Sequence, residues 1–179
     1  MLKANDAVLV VVDVQGKLAT LMHEKEKFYH AVVQMIKGAR VLDIPIFWNE
    51  QLPDKLGETI PIVREALQGQ SPLVKKTFSC CGNPDFSEQL EASGRKQILL
   101  VGMESHVCVY QTARDLLAQG YEVYLITDAI SSRSAENRGI GIEAMVNAGA
   151  KSACVEMVLF EMLEVAQGDK FKVCLQIVK

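Results

Sequence analysis

Asp13, Cys108 and the Lys75-Lys76 pair are the residues of this chain whose types and places suit chemistry. Asp13 follows the apolar run Val8-Leu9-Val10-Val11-Val12. A carboxylate there can act as general acid and base, its pKa tuned by partial burial, or it can cap a helix or turn. Cys108 falls near a helix start, shortly after Gln97-Ile98-Leu99-Leu100-Val101. A helix dipole and free N–H groups would favour a thiolate at that position and receive a developing oxyanion. The alternative is a small buried hydrophobe, the usual role of a free cysteine. Lys75-Lys76 ends a third, weaker apolar run. In extended backbone two neighbours point to opposite sides, so at most one shares a site with Asp13. Composition does not choose between them, and a solvated lysine pair is the plainer reading.

Other residues could wall such a site. Gln15 and Phe78 are candidates for pocket or local packing, and Trp48 for pocket or core. Asn49, Glu50 and Gln51 follow a strand and so line either the site or a solvated loop. His106 lies two residues before Cys108 and either faces the pocket or sits on the surface. The histidines His23, His30 and His106 form no metal-ligand pattern. Cys80-Cys81 is vicinal rather than a C-x-x-C redox motif, and Cys154 and Cys174 read as core or interface. Gly139 and Gly141 lack the strand–turn–helix context of a phosphate loop.

Short β-branched runs alternating with helical patterns must position these groups. The spacing predicts strands at Val8–Val12, Ile44–Trp48, Pro72–Lys76, Gln97–Val101, Val123–Ile126 and Ser152–Val155. Between them it predicts helices over Phe28–Leu42, Glu58–Leu67 (Thr59 as N-cap), Phe86–Ser93, Val107–Gln119 and Glu136–Asn147, with two helical stretches at the end. Leu52–Gly57, Gln68–Ser71 and Ile130–Ser134 read as loops. The alternation implies an α/β fold with a parallel sheet covered on both faces. Ligands of such sheets sit beyond the carboxyl ends of the strands, where strand order switches.

Composition bounds the rest. The 179 residues suit one domain, 1–179, and 49% hydrophobic residues are enough to build a core. A net charge of −3 argues against nucleic acid or an anionic membrane surface as partner. Five cysteines, an odd number, fit a reducing compartment, and the early apolar run Ala7–Val12 is far too short to span a membrane. Together they lead to the expectation of a cytoplasmic protein.

Three ordered motifs carry a resemblance: Val12-Asp13-Val14-Gln15, Lys75-Lys76-Thr77-Phe78-Ser79 and Gly102-Met103-Glu104-Ser105-His106-Val107-Cys108-Val109. Thr127-Asp128-Ala129 and Ser131-Ser132-Arg133-Ser134 add to it. From Val8 to about Val165 the chain resembles the isochorismatase-like, or cysteine, hydrolase family, and within it the uncharacterised isochorismatase-domain proteins. The resemblance implies a three-layer α/β/α, Rossmann-like fold with a six-stranded parallel sheet in the order 3-2-1-4-5-6. It implies a catalytic triad of Asp13, Lys75 and Cys108, selecting Lys75 over Lys76. It further implies a cis Met103–Glu104 peptide, with the Glu104 and Cys108 N–H groups as oxyanion hole.

The nicotinamidases of this superfamily carry an Asp-x-His metal motif after the second strand, where this chain reads Trp48-Asn49-Glu50-Gln51. No metal and no cofactor are therefore expected. Isochorismatases proper lack the cysteine nucleophile, so Cys108 favours acyl chemistry over enol-ether hydrolysis. The implied function is a small-molecule amidohydrolase working through a Cys108 thioester, with a substrate pocket of Gln15, Trp48, Asn49, Gln51, Phe78 and His106. An idle binding or scaffold protein and a thiol redox protein on the same fold are the alternatives. The family and the apolar face of Phe171, Cys174, Leu175 and Val178 point to a homo-oligomer, packing of that face on its own domain being the other reading.

Overall fold

A computed structural model describes residues 1–179. Its centre is β1 (Ala7–Val12), six residues without a polar side chain and buried throughout. A strand covered on both faces takes such a continuous apolar run. Around it lie β2 (Ile46–Gln51), β3 (Leu73–Lys75), β4 (Gln97–Met103), β5 (Glu122–Ser131) and β6 (Lys151–Ala153), with the short helices α1 (Gly16–Ala19) and α3 (Pro53–Leu56) following β1 and β2. All pairs are parallel, and the order is β3-β2-β1-β4-β5-β6, as the resemblance implies.

Alternate residues of the sheet feed two cores. Leu9, Val11, Trp48, Leu99 and Val101 face α2 (Lys25–Val41), α4 (Pro61–Ala66), α8 (Val155–Leu163) and α9 (Asp169–Val178). Val8, Val10, Val12, Ile98 and Leu100 face α5 (Pro84–Ala92), α6 (Tyr110–Ala118) and α7 (Ala135–Asn147). In α2, Phe28, Ala31, Val32, Met35, Ile36 and Ala39 recur every three or four residues and are buried. In α9, Cys174 is fully buried, Val178 packs on the same core, and Phe171 meets Phe160 at 6.1 Å between ring centroids. Much of its apolar face thus covers its own domain. No helix is long and apolar enough to cross a membrane.

Four local differences from the sequence pattern shape the site. β2 runs on through Asn49, Glu50 and Gln51, because these residues pair with Leu73, Val74 and Lys75 of β3. β5 continues to Ser131 through a bulge, in which Leu100 pairs Leu125 but Gly102 pairs Ile130. Within that bulge Ile126 pairs with β6, while the Asp128 carboxylate accepts the Val155 N–H at the start of α8. The fourth helix begins at Pro61 with Ile60 as N-cap, so Thr59 is free for another task. Finally, the helix carrying Cys108 opens with a π-helical turn, Ser105–Val109, before α6.

Candidate active site

β1 and β4 lie side by side at the point where the strand order reverses. Gly102 lets them close there: its φ is +139°, and a Cβ on it would sit 2.3 Å from the Val12 carbonyl oxygen. Asp13 leaves β1 with a left-handed φ of 54°, and Glu104 leaves β4 with φ 60°. Such backbone is uncommon for a non-glycine residue and clusters at functional sites. Both residues line a cavity of about 30 Å³ together with Gln15, Gln51, Cys108 and an apolar wall of Leu18, Leu56 and Met103.

The β1 side is densely bonded. Lys75 Nζ, fully buried, donates to Asp13 Oδ2 at 2.7 Å, to the Phe78 carbonyl at 2.9 Å, to the Thr77 carbonyl at 3.0 Å and to Gln51 Oε1 at 3.4 Å. Its neighbour Lys76 is exposed, as extended backbone requires. Asp13 Oδ1 is buried with no partner. Burial pushes the Asp13 carboxyl above its ordinary pKa, and the Lys75 ammonium opposes the rise. Gln15 accepts the Gln51 N–H at 2.7 Å and donates to the carbonyls of Gln51 and Gly57. This ties the segment after β2, through Gly57, to the cavity lining.

The β4 side is open by contrast. The Glu104 N–H donates to no acceptor of the chain, while its carbonyl accepts from Val107 and Val109. Cys108 Sγ lies 3.5 Å from Gln51 Oε1 and beside the Asp13 carboxylate. Burial pushes the thiol pKa to about 12, with the Asp13 charge as the next cause and Lys75 acting the other way. The shift is thus upward, the reverse of what the position at a helix start suggests, and burial is its largest cause. The Met103–Glu104 peptide is trans, since the chain has no cis bond, and the left-handed Glu104 makes the turn instead.

The other sequence candidates separate. Gln15 and Gln51 line the cavity. Trp48 does not: it packs in the core on the α2 face, its Nε1 donating to Thr59 Oγ1 at 2.7 Å. Asn49 is buried inside the sheet, donating to the Val11 and Phe47 carbonyls. Phe78 is 51% exposed and contributes its carbonyl rather than its ring. His106 lies outside the lining, with Nδ1 3.1 Å from Ser132 Oγ and 3.3 Å from Glu104 Oε2. All five cysteines are free thiols. No cluster of three or more His, Cys, Asp or Glu side chains is placed to hold a metal.

Sequence patterns bring several supporting residues to notice without giving them that role. Glu50 accepts the Thr59 N–H at 2.6 Å, pinning the strap that carries Leu56. Ser132 Oγ accepts the Ser105 N–H at 2.9 Å, and Arg133 Nε donates to Glu104 Oε1 at 2.7 Å. Gly141 of α7 lies against the π turn: a Cβ there would come within 2.5 Å of Ser105. The serine-rich stretch after the fifth strand was the signal that could have found Ser132 and Arg133.

The isochorismatase domain matches residues 7–157. The chain belongs to the isochorismatase family. The mouse isochorismatase domain-containing protein 2A is 33% identical, over 97% of this chain and 82% of its own length. The structure of the MAR1 ribonuclease of Caenorhabditis elegans superposes with a TM-score of 0.92 at 32% identity, covering 99% of this chain and 91% of its own. The YcaC protein of Pseudomonas aeruginosa, solved with hexane-2,5-diol and covalent acrylamide, has a TM-score of 0.91 at 26% identity. It covers 98% of this chain and 90% of its own. The sheet order and helices on both faces are thus those of an isochorismatase-family hydrolase fold.

Proposed function

We propose that this isochorismatase-family chain hydrolyses small amides through a Cys108 thioester. One observation carries the reading. The unpartnered Asp13 Oδ1, the buried Asp13–Lys75 pair and the Cys108 thiol meet at one cavity. Lys75 holds the Asp13 carboxylate charged and leaves Oδ1 as the proton acceptor. Asp13 takes the thiol proton as Cys108 Sγ bonds to the substrate carbonyl carbon. The Glu104 and Cys108 N–H groups receive the oxyanion, a contribution of about 3 kcal/mol per donor. The carbon–nitrogen bond breaks, and ammonia or an amine leaves with the Asp13 proton. Water then adds to the thioester, giving its proton to Asp13, which returns it to the departing thiolate.

A thiol with a pKa near 12 needs such a base, which also weakens the redox alternative. The covalent acrylamide on the Pseudomonas relative is consistent with a reactive nucleophile on this fold. The worm relative is named a ribonuclease. For this chain the net charge of −3 and the small, acid-lined cavity suit a small molecule better than a polyanion. Homo-oligomerisation belongs to the same proposal, and sedimentation equilibrium measures it directly.

The test is a screen of small amides and carbamoyl compounds scored by ammonia release. With any accepted substrate, Cys108→Ala is expected to lose at least about 1,000-fold in kcat while circular dichroism stays unchanged. Undiminished turnover in a folded Cys108→Ala protein would sink the mechanism.

A further inference from the structure

The space beside Cys108 is too small for its task as it stands. It measures about 30 Å³, room for about two waters, and even acetamide is larger than that. If Cys108 is the group a substrate must reach, on which the following rests, a wall has to move. Asp13, Gln15, Gln51, Met103, Glu104 and Cys108 are buried wall residues, held in the sheet, its bonded strand ends or the π turn. Leu18 is half-buried and packs on the α2-side core. Leu56 is 44% exposed and belongs to neither core. Close-packed parts of a protein open last, so the wall that yields is the one carrying Leu56.

Leu56 ends α3, a single turn in which no residue is buried. The amides of Lys55 and Leu56 bond back to the Leu52 carbonyl and that of Gly57 to Pro53, all inside the segment. Fixed points flank it. On one side the Leu52 N–H donates to the Lys75 carbonyl at 3.1 Å. On the other, Gln15 Nε2 holds the Gly57 carbonyl, Gly16 donates to Glu58, Glu50 accepts from Thr59, and Ile60 donates to Val14. Both ends of the segment have positive φ, 41° at Leu52 and 85° at Gly57. Such backbone is held by its surroundings rather than by local preference, and it recurs in clamps and switch regions. Against α1 the segment rests backbone to backbone, since a Cβ on Gly16 would come 1.7 Å from the Leu56 carbonyl oxygen.

We propose that Leu52–Gly57 is a hinged cover over the cavity, and that Leu56 on it decides by size which molecules reach Cys108. The probes are iodoacetamide and its larger N-phenyl derivative, applied to the intact folded chain. With either, Cys108 Sγ bonds to the methylene carbon, iodide leaves, and the thiol proton passes to Asp13 and on to solvent. Alkylation at each cysteine is followed by peptide mass spectrometry. Cys80 and Cys174 are fully buried outside the lining, so they report global opening. Leu56 is half-exposed, and Leu56→Ala should leave the fold intact. In that variant the Cys108 rate should rise at least about tenfold with the larger probe and by less with iodoacetamide, with Cys80 and Cys174 at parent rates. In Gly57→Ala the methyl would lie 3.0 Å from Gly16 Cα, on a backbone that L residues rarely adopt, and the displaced cover should speed both probes at Cys108. Cys108 rates within about twofold of the parent in both variants overturn the cover and leave the nucleophile standing. A parallel rise at Cys108, Cys80 and Cys174 in Leu56→Ala also overturns it, since access would then run through global unfolding. A Cys108 inert in the folded parent and in both variants, yet alkylated in urea, removes the nucleophile reading together with the cover.

Discussion

The two halves of the candidate site are built on opposite plans. At the end of β1, Asp13, Gln15, Gln51 and Lys75 are joined by buried hydrogen bonds that leave no lysine proton free. At the end of β4, the Glu104 N–H has no acceptor, and the Cys108 thiol is 3.5 Å from Gln51 Oε1 and beside the Asp13 carboxylate. Saturated polar groups are rigid and costly to disturb, whereas unsatisfied ones hold interaction energy for a ligand. The β1 half thus suits holding charge in place, with Asp13 Oδ1 as its one unpartnered atom, and the β4 half suits receiving a reacting group.

Breaking the densely bonded β1 half should have the largest consequence. Lys75→Met keeps the volume but strands Asp13 as a buried charge without its partner. It should cost about 3–5 kcal/mol in urea unfolding, the range for halving a buried pair. Activity should fall by at least about 100-fold, the usual scale of a lost acid–base partner. A variant as stable and active as the parent would dissolve the distinction between the halves.

Disturbing only the open half should separate activity from stability. In Gly141→Ala the new methyl would press on the π turn, 2.5 Å from Ser105. A misplacement of about 1 Å in a catalytic group is worth up to about 100-fold in rate. The fold should lose only about 1–3 kcal/mol, as overpacking does. A kcat within twofold of the parent would mean that the turn tolerates displacement.

The pH profile sharpens the electrostatics. Asp13 must be ionised to accept the thiol proton, and burial raises its pKa. Activity should therefore fall as pH drops through a midpoint above about 3.9, the ordinary aspartate value. Asp13→Asn should abolish that limb with the activity, and an acid limb at or below the ordinary value would show that Lys75 outweighs burial. The smallest effect belongs to Phe78→Ala. Its ring is half-exposed, so stability should change by no more than about 0.5 kcal/mol and kcat/KM by under twofold. A tenfold loss would bring the ring to the substrate.

Much of the frame was legible in the chain because apolar runs are strong signals. The buried strands around Val8–Val12 and Gln97–Val101, and the helices between them, follow from periodicity alone. The pocket was less legible. Gln15 and Gln51 could be read from their places after strands, yet Trp48 and Phe78 looked equally eligible. Side-chain direction in a strand alternates, and a shift of one residue reverses it. Trp48 points to the α2 side, whereas the cavity opens beyond the strand ends. The supporting roles of Glu50, Ser132, Arg133 and Gly141 have no local signature, since their partners lie 9 to 36 positions away.

By itself the sequence determined the layered α/β frame, the strand-end position of Asp13 and Cys108, and the family to which the chain belongs. Hydrophobic pattern and short motifs are local properties, and they survive without coordinates. Only the tertiary structure decided that Lys75 meets Asp13 across 62 positions, that burial pushes the Cys108 thiol pKa up and that the Glu104 N–H is left free. Those outcomes depend on burial and on which distant groups share a small volume. Desolvation and long-range hydrogen bonding set them, and neither is encoded in residue spacing.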